Sequence, residues 1–294
     1  MASPSLPLYF AYGSNLNQAD FDRWCKDRNH PPCTLRFHSR AYLPDHELTF
    51  NVHSQRRNGG VLNLRPRPHQ LVPGALFEID AFAKSLLDEK ESAPKWYKEA
   101  LLPVIQESGQ VTSALTYIVP SDRTDDSITA APEYASIVRQ GLKARQLGTD
   151  HLEYAIRKKP APLPSTFFFY GTLMQGQSRG PIVKSLGGQV IARATIPGRL
   201  VDLGSYPGLV DLGCADSLVH GELVKFSRVT AAMEEFDAIE GFRGFDKTGS
   251  LYGRTWIAVE DDSENLHHAW TYHYQRDWQN ANIIPSGNWR EHRS

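Results

Sequence analysis

Two short loops and two glutamates are the parts of this 294-residue sequence that could do chemistry. Tyr12-Gly13-Ser14-Asn15 and Tyr170-Gly171-Thr172-Leu173 each end a short aromatic and apolar run. A glycine at the end of a strand leaves backbone N–H groups open to close approach by an anion such as a carboxylate, because no Cβ stands in the way. Glu91 follows Tyr12 by 79 residues (91 minus 12), and Glu240 follows Tyr170 by 70 (240 minus 170). Each glutamate comes just after a helical stretch, where a turn can aim its side chain into a cleft. A lone carboxylate whose pKa is raised by partial burial can take a proton from an ammonium and later hand one to a departing nitrogen. The neighbouring Glu89, Glu234 and Glu235 read as solvated helix charges.

Other chemistries have less to stand on. The 11 histidines form no His-x-x-His or His-x-x-x-His pair, and His267-His268, adjacent on an expected strand, would face opposite sides. No metal and no cofactor is therefore expected. Cys25, Cys33 and Cys214 are too few and too scattered for a disulfide framework. Arg56, Arg57, Arg65 and Arg67 read as one solvated hairpin face, or else as partners for a second carboxylate on a ligand. Trp289 reads as a packing anchor, with a lid over the second site as the other reading.

The elements that must position these groups recur in order. Leu8–Tyr12 and Thr166–Tyr170 read as buried strands running into a tight loop. Gly74–Asp80 and Gly221–Ser227 read as half-buried strands opening on glycine, each followed by a helical stretch, Ser85–Ser92 and Met233–Gly241. Trp96-Tyr97 precedes a strand at Ala100–Ile105, and Tyr252 precedes one at Thr255–Val259. The halves then diverge: Pro132–Arg145 and His151–Arg157 have helical patterning, whereas the second half ends on an alternating strand, Ala269–Tyr274. Two ordered sets of landmarks indicate a tandem repeat. Its natural linker is 159–164, within a stretch whose prolines cannot continue a helix or a central strand.

Composition sets the bounds. With 32 basic and 33 acidic residues there is no electrostatic case for nucleic acid or an anionic membrane, and a small zwitterionic ligand fits. The start, Met1 to Phe10, lacks the basic and apolar regions of a signal peptide, and no run of about 18 apolar residues occurs. The expected location is cytoplasmic.

The landmarks resemble the γ-glutamylcyclotransferase-like superfamily. Residues 1–158 resemble γ-glutamylcyclotransferase through Tyr9-Phe-Ala-Tyr-Gly-Ser-Asn-Leu16, Gly60–Leu64, Leu87–Glu91 and Pro132-Glu-Tyr134. Residues 165–294 resemble the shorter γ-glutamylamine cyclotransferase, or AIG2-like, branch through Phe169–Leu173, Gly198–Pro207 and Ile239-Glu240-Gly241. The resemblance implies an α+β chain of two tandem domains, each a mixed, partly closed β-barrel with flanking helices. It implies Glu91 and Glu240 as the catalytic acid/base residues. Substrate contacts are implied at Tyr9, Phe10, Ala11, Tyr12, Gly13, Ser14, Asn15 and Tyr134, and at Tyr170, Gly171, Thr172 and Leu173. The implied reaction releases 5-oxoproline and a free amine from a γ-glutamyl compound, whose own α-amine is the nucleophile. One departure stands out: Ser92 follows Glu91 where the family often has glycine, so a different local turn is expected there. The alternatives are a non-catalytic γ-glutamyl-binding or regulatory protein, a chain with one active half, and a cysteine-dependent transferase.

Overall fold

The computed structural model describes residues 8–293; the Met1–Pro7 part of the stretch read above for a leader lies outside them. The chain divides into two compact units, Met1–Gln106 with Thr112–Pro162, and Glu107–Val111 with Leu163–Ser294. The first contains β1 (Leu8–Ala11), α1 (Gln18–Asp27), β2 (Arg36–Ser54), β3 (Gly59–Glu78) and α2 (Ala81–Lys90). These are followed by β4 (Lys98–Gln106), β5 (Val111–Ile118), α3 (Pro132–Ala144) and α4 (Asp150–Ile156). Its strands close into a barrel in the order β1-β3-β2-β4-β5. Closure comes through β1, antiparallel to β3 with Phe10 opposite Leu76, and parallel to β5 with Tyr9 opposite Leu115.

In the second unit the elements are β6 (Thr166–Phe169), α5 (Gly180–Ser185), β7 (Gln189–Pro197), β8 (Arg199–Asp202), β9 (Pro207–Val210) and β10 (Leu218–Lys225). Then come α6 (Val229–Glu240), β11 (Tyr252–Asp261), β12 (Leu266–Tyr274), β13 (Asn282–Ile283) and α7 (Trp289–His292). Its barrel runs β10-β6-β12-β11-β7, again with the first strand antiparallel on one side and parallel on the other. A small sheet, β13-β8-β9, is added. Both barrels are fully closed rather than partly so. Closure leaves no edge strand to protect, and it explains why β1 and β6 read as continuous apolar runs: both of their faces are buried.

Gly74 and Gly221 do not open strands as expected; they lie inside β3 and β10. A Cβ on Gly74 would sit 2.4 Å from the Ala11 carbonyl oxygen and 2.5 Å from the Phe10 ring. One on Gly221 would sit 2.3 Å from the Phe169 oxygen and 2.6 Å from the Phe168 ring. Each glycine is the point where the loop-bearing strand presses hardest on its neighbour. On the other side, buried Thr116 and Thr271 donate to the carbonyls of Phe10 and Phe168, both at 3.0 Å. Tyr252 begins β11 instead of preceding it.

The helices α2 and α6 carry the glutamates, and both end in the same way. Ala93 N–H reaches the Asp88 carbonyl at 2.8 Å and Phe242 N–H reaches that of Asp237 at 2.9 Å, the closing bond of a Schellman turn. Such a turn needs a left-handed residue after the helix. Gly241 has φ +63°, and Ser92 takes φ +51° in the same place. The expectation of a different turn at Ser92 is thus overturned: the hydrogen bonds impose the conformation despite a cost of about 1–2 kcal/mol for a residue with a Cβ. Below α6, Phe236 packs against Phe167, Phe169 and Phe226 with ring centroids 5.0–5.4 Å away, while buried Leu87 fills the corresponding place under α2.

Gly221→Ala is expected to lower the unfolding free energy of the second unit by at least about 1–3 kcal/mol, because backbone and ring must both move aside. Urea unfolding followed by tryptophan fluorescence would measure it, and a change within about 0.5 kcal/mol would contradict the close approach described here.

Candidate active site

In the first barrel the Tyr12 loop and the end of α2 meet. Asn15 Nδ2 donates to Glu91 Oε1 at 2.9 Å and to the Tyr9 hydroxyl at 2.8 Å. Lys90 Nζ donates to Asn15 Oδ1 at 2.5 Å and to Ser14 Oγ at 3.1 Å. Its side chain is only 5% exposed and lies 3.6 Å from Asp20, which also holds Arg57 at 2.6 Å. Tyr134, at the start of α3, places its hydroxyl 2.8 Å from where a Gly13 Cβ would be, so only glycine lets this phenol reach the loop. The Arg57 guanidinium lies 5.7 Å from the Tyr134 ring centroid.

Ser14, Arg57, Lys90, Glu91, Tyr97 and Tyr134 line a pocket of about 630 Å³, to which Arg56, Lys95 and Arg123 add positive charge; Tyr9, Gly13, Asn15 and Asp20 stand behind this lining. Burial raises the Glu91 carboxyl above its ordinary range, opposed by the Lys90 charge and the Asn15 hydrogen bond. Burial also lowers the Lys90 ammonium, opposed by Glu91 and Asp20. The Tyr134 phenol is pushed up by burial and by the Glu91 charge, against the backbone groups of Leu62 and Ser14.

The second barrel repeats the plan with fewer charges. Gly171, Thr172 and Leu173 share a pocket of about 60 Å³ with Glu240, Arg179, Tyr206 and Tyr252. Burial pushes the Glu240 carboxyl up to about 7, opposed by the Arg179 charge. The Tyr252 hydroxyl donates to the Pro207 carbonyl at 2.6 Å. The loop is braced from behind: buried Glu222 accepts from Gln175 N–H at 2.8 Å and from Arg290 at 2.7 Å. Trp289, 2% exposed, is a packing anchor beside that arginine and does not line the pocket.

A third contact fixes both glutamates. Tyr117 OH donates to Asp88 Oδ1 at 2.6 Å, and Tyr272 OH donates to Asp237 Oδ1 at 2.7 Å. Each aspartate lies three residues before the site glutamate, hence on the same helical face, and each tyrosine stands on the strand parallel to the loop-bearing one. Lys84 closes the first pair and Arg254 the second.

Most of the residues named from the sequence come together, with exceptions. The Phe10 and Ala11 side chains are fully buried in the core, leaving them only backbone to offer. Tyr12 and Tyr170 direct their hydroxyls away from solvent, to the carbonyls of Tyr117 and Tyr272, at 2.7 Å each. The arginine group is not one hairpin face: Arg56 and Arg57 line the first pocket, whereas Arg65 and Arg67 pair with Glu47. Sequence reading passed over Lys90, Asp20 and Tyr97 as site residues in the first half, and Arg179, Tyr206 and Tyr252 in the second; Arg57 it named only in a second reading, as a partner for a ligand carboxylate. It also passed over Asp88 and Asp237, although the shared Asp-x-x-Glu spacing was available. Cys25 and Cys33 are buried, their thiols raised mainly by burial, and neither borders a glutamate pocket. Among the described residues no group of three or more His, Cys, Asp or Glu could hold a metal ion, and no helix is long and apolar enough to cross a membrane.

A closed five-stranded barrel with a glycine loop facing a helix-terminal glutamate, built twice, defines a cyclotransferase-type fold. The family model described as "Gamma-glutamyl cyclotransferase, AIG2-like" matches residues 9–136 and again 167–291, and the chain belongs to that family. The γ-glutamylcyclotransferase family protein YtfP of Escherichia coli is 31% identical over 123 residues, 42% of this chain and 93% of the relative. Its Citrobacter rodentium counterpart is 35% identical over 91 residues, 31% of this chain and 66% of that protein. A solved structure titled γ-glutamyl cyclotransferase aligns over 53% of this chain and 88% of its own, with 22% identity and a TM-score of 0.44.

Because its carboxyl is protonated more readily in the folded chain than in the unfolded one, Glu240 favours folding fully below about pH 4.5 and loses that contribution as pH rises through about 7. Replacing it with the permanently neutral Glu240→Gln is therefore expected to stabilise the second unit by about 3 kcal/mol at pH 8 and to change little at pH 4. Denaturant unfolding at the two pH values would measure this; an equal effect at both would contradict the assignment.

Proposed function

We propose that this protein cyclises γ-glutamyl groups, releasing 5-oxoproline and a free amine, with Glu91 and Glu240 as the acid/base of two separate sites. The reading rests on one observation: in both barrels a single, burial-raised carboxylate at a helix end stands beside a glycine loop. The loop would hold the substrate's α-carboxylate. Held beside it, the α-ammonium gives a proton to the glutamate, and the freed amine attacks the γ-carbonyl carbon. The new C–N bond closes a five-membered ring, the glutamate returns the proton to the leaving nitrogen as the old C–N bond breaks, and the ring nitrogen's second proton follows through the same carboxylate, so that the amine departs as an ammonium. Preorganising such an intramolecular attack contributes up to about 7–11 kcal/mol without a protein nucleophile, so a tight pocket and one proton carrier suffice.

The two pockets suit different leaving groups. The larger one, with Arg56, Arg57, Lys95 and Arg123 at its walls, suits an amine that carries a carboxylate of its own. The smaller one offers a single arginine and suits a compact or uncharged amine. Its size also supports a second reading, in which only the first half turns over substrate.

Glu91→Gln and Glu240→Gln are each expected to lower 5-oxoproline release from a γ-glutamyl substrate by about 10²–10⁴-fold. A panel of γ-glutamyl amino acids and γ-glutamyl amines, assayed for 5-oxoproline, would test it. Loss of turnover only with Glu91→Gln selects the one-site reading; no loss with either variant refutes the cyclotransferase assignment.

A further inference from the structure

Matched through Tyr12 with Tyr170 and Glu91 with Glu240, the two sites differ at a coupled pair: Asn15 and Lys90 in the first correspond to Leu173 and Ile239 in the second. In the first site the Asn15 amide can be seated only one way round. Its oxygen faces the Lys90 ammonium at 2.5 Å, and its NH2 faces Glu91 Oε1 at 2.9 Å and the Tyr9 hydroxyl at 2.8 Å. Reversing it would set NH2 against ammonium and carbonyl against carboxylate, two repulsive contacts in a poorly hydrated place.

A lysine 5% exposed is costly to bury unless it has a task. Neutralising Asp20 is not sufficient reason, because Asp20 already has Arg57 at 2.6 Å. The second site dispenses with both polar groups together, exchanging amide and ammonium for two aliphatic side chains.

The geometry points to Lys90 and Asn15 as positioning residues that hold the Glu91 carboxylate ionised and aimed at the loop, a device absent from the second site. For its part in turnover this inference rests on the proposed cyclisation; for the state of the carboxylate it does not. The groups facing Glu91 are Lys90 beside it, Tyr9 on β1, Tyr12 and Asn15 in the loop that follows, Asp20 on α1, Arg57 from the β2–β3 turn, Tyr97 before β4 and Tyr134 on α3. Of these, Lys90, Arg57 and the Asn15 amide favour the ionised form, and Asp20 opposes it. Glu240 faces Arg179, Tyr170, Tyr252 and Tyr272, and among the described residues that line its pocket there is no side-chain amide and no lysine. The first site therefore keeps its base ready at a lower pH than the second.

The test uses the full chain with Glu240→Gln, so that turnover comes from the first site, and adds Asn15→Leu with Lys90→Ile. The Glu91 carboxyl is followed by ¹³C NMR, identified by its loss in Glu91→Gln, and 5-oxoproline release is measured against pH. The expected result is a rise of about 1–3 units in the Glu91 midpoint, with the acid limb of the rate profile moving alongside it. The reciprocal chain, Glu91→Gln with Leu173→Asn and Ile239→Lys, should lower the Glu240 midpoint, and it serves if the first variant does not fold. A merely structural pair would change the melting temperature and leave both midpoints where they were; an unmoved midpoint in a folded variant overturns the inference. If the unmutated chain releases no 5-oxoproline from any γ-glutamyl compound of the panel, the cyclotransferase reading fails, while the carboxyl titrations still decide this one.

Discussion

The hydrogen bond from a barrel tyrosine to an aspartate one turn ahead of each site glutamate sets where the helix lies and how it is rotated. Tyr117 with Asp88, and Tyr272 with Asp237, join the end of a helix to the strand that runs parallel to the loop-bearing strand. That strand is itself located by a buried threonine on one side and by a glycine-only contact on the other. Loop, strand, tyrosine and helix end are thus connected within a few residues, and the glutamate three positions beyond the aspartate has little choice of direction. An active site held on regular elements in this way keeps its geometry without help from flexible segments.

The two halves meet the constraint with different chemistry. In the first, the aspartate is closed by Lys84, which also reaches Glu99, in a partly solvated ion network. In the second, Arg254 is 2% exposed, pairs with Asp237 at 2.6 Å and lies about 5 Å from the ring centroids of Phe242, Phe245 and Trp270. A planar guanidinium can stack on aromatic faces and still fork onto a carboxylate, which an ammonium cannot do equally well. The same asymmetry runs through the sites, where the first half uses a polar amide and a lysine and the second uses aliphatic packing.

Much of this was legible in the sequence, because the signals were local. A glycine directly after an aromatic strand, an acid directly after a helix, and their recurrence in order sufficed for two repeated units with Glu91 and Glu240 singled out, and the family resemblance those landmarks carry supplied the barrels. What was missed depends on distant partners. Lys90 sits in Asp-Glu-Lys-Glu, a string that reads as a solvated helix end, and only the approach of Asn15 and Asp20 from elsewhere makes it a buried cation. Arg57 looked like hairpin decoration, since nothing nearby in sequence announces the tyrosine on α3 beneath it. Gly74 and Gly221 were noticed as landmarks but placed at strand openings, because their requirement comes from a carbonyl and a ring on another strand. The sheet β13-β8-β9 carries short strands with weak patterning, and it was not anticipated.

The brace behind the second loop gives the two halves different timetables during synthesis. The residues named at the first site all lie between Tyr9 and Tyr134. The Glu222 carboxylate behind the second loop must wait for Arg290, 68 residues further along the chain. The second loop therefore stays unbraced during synthesis until Arg290 has been added, long after the residues named at the first site have all been made.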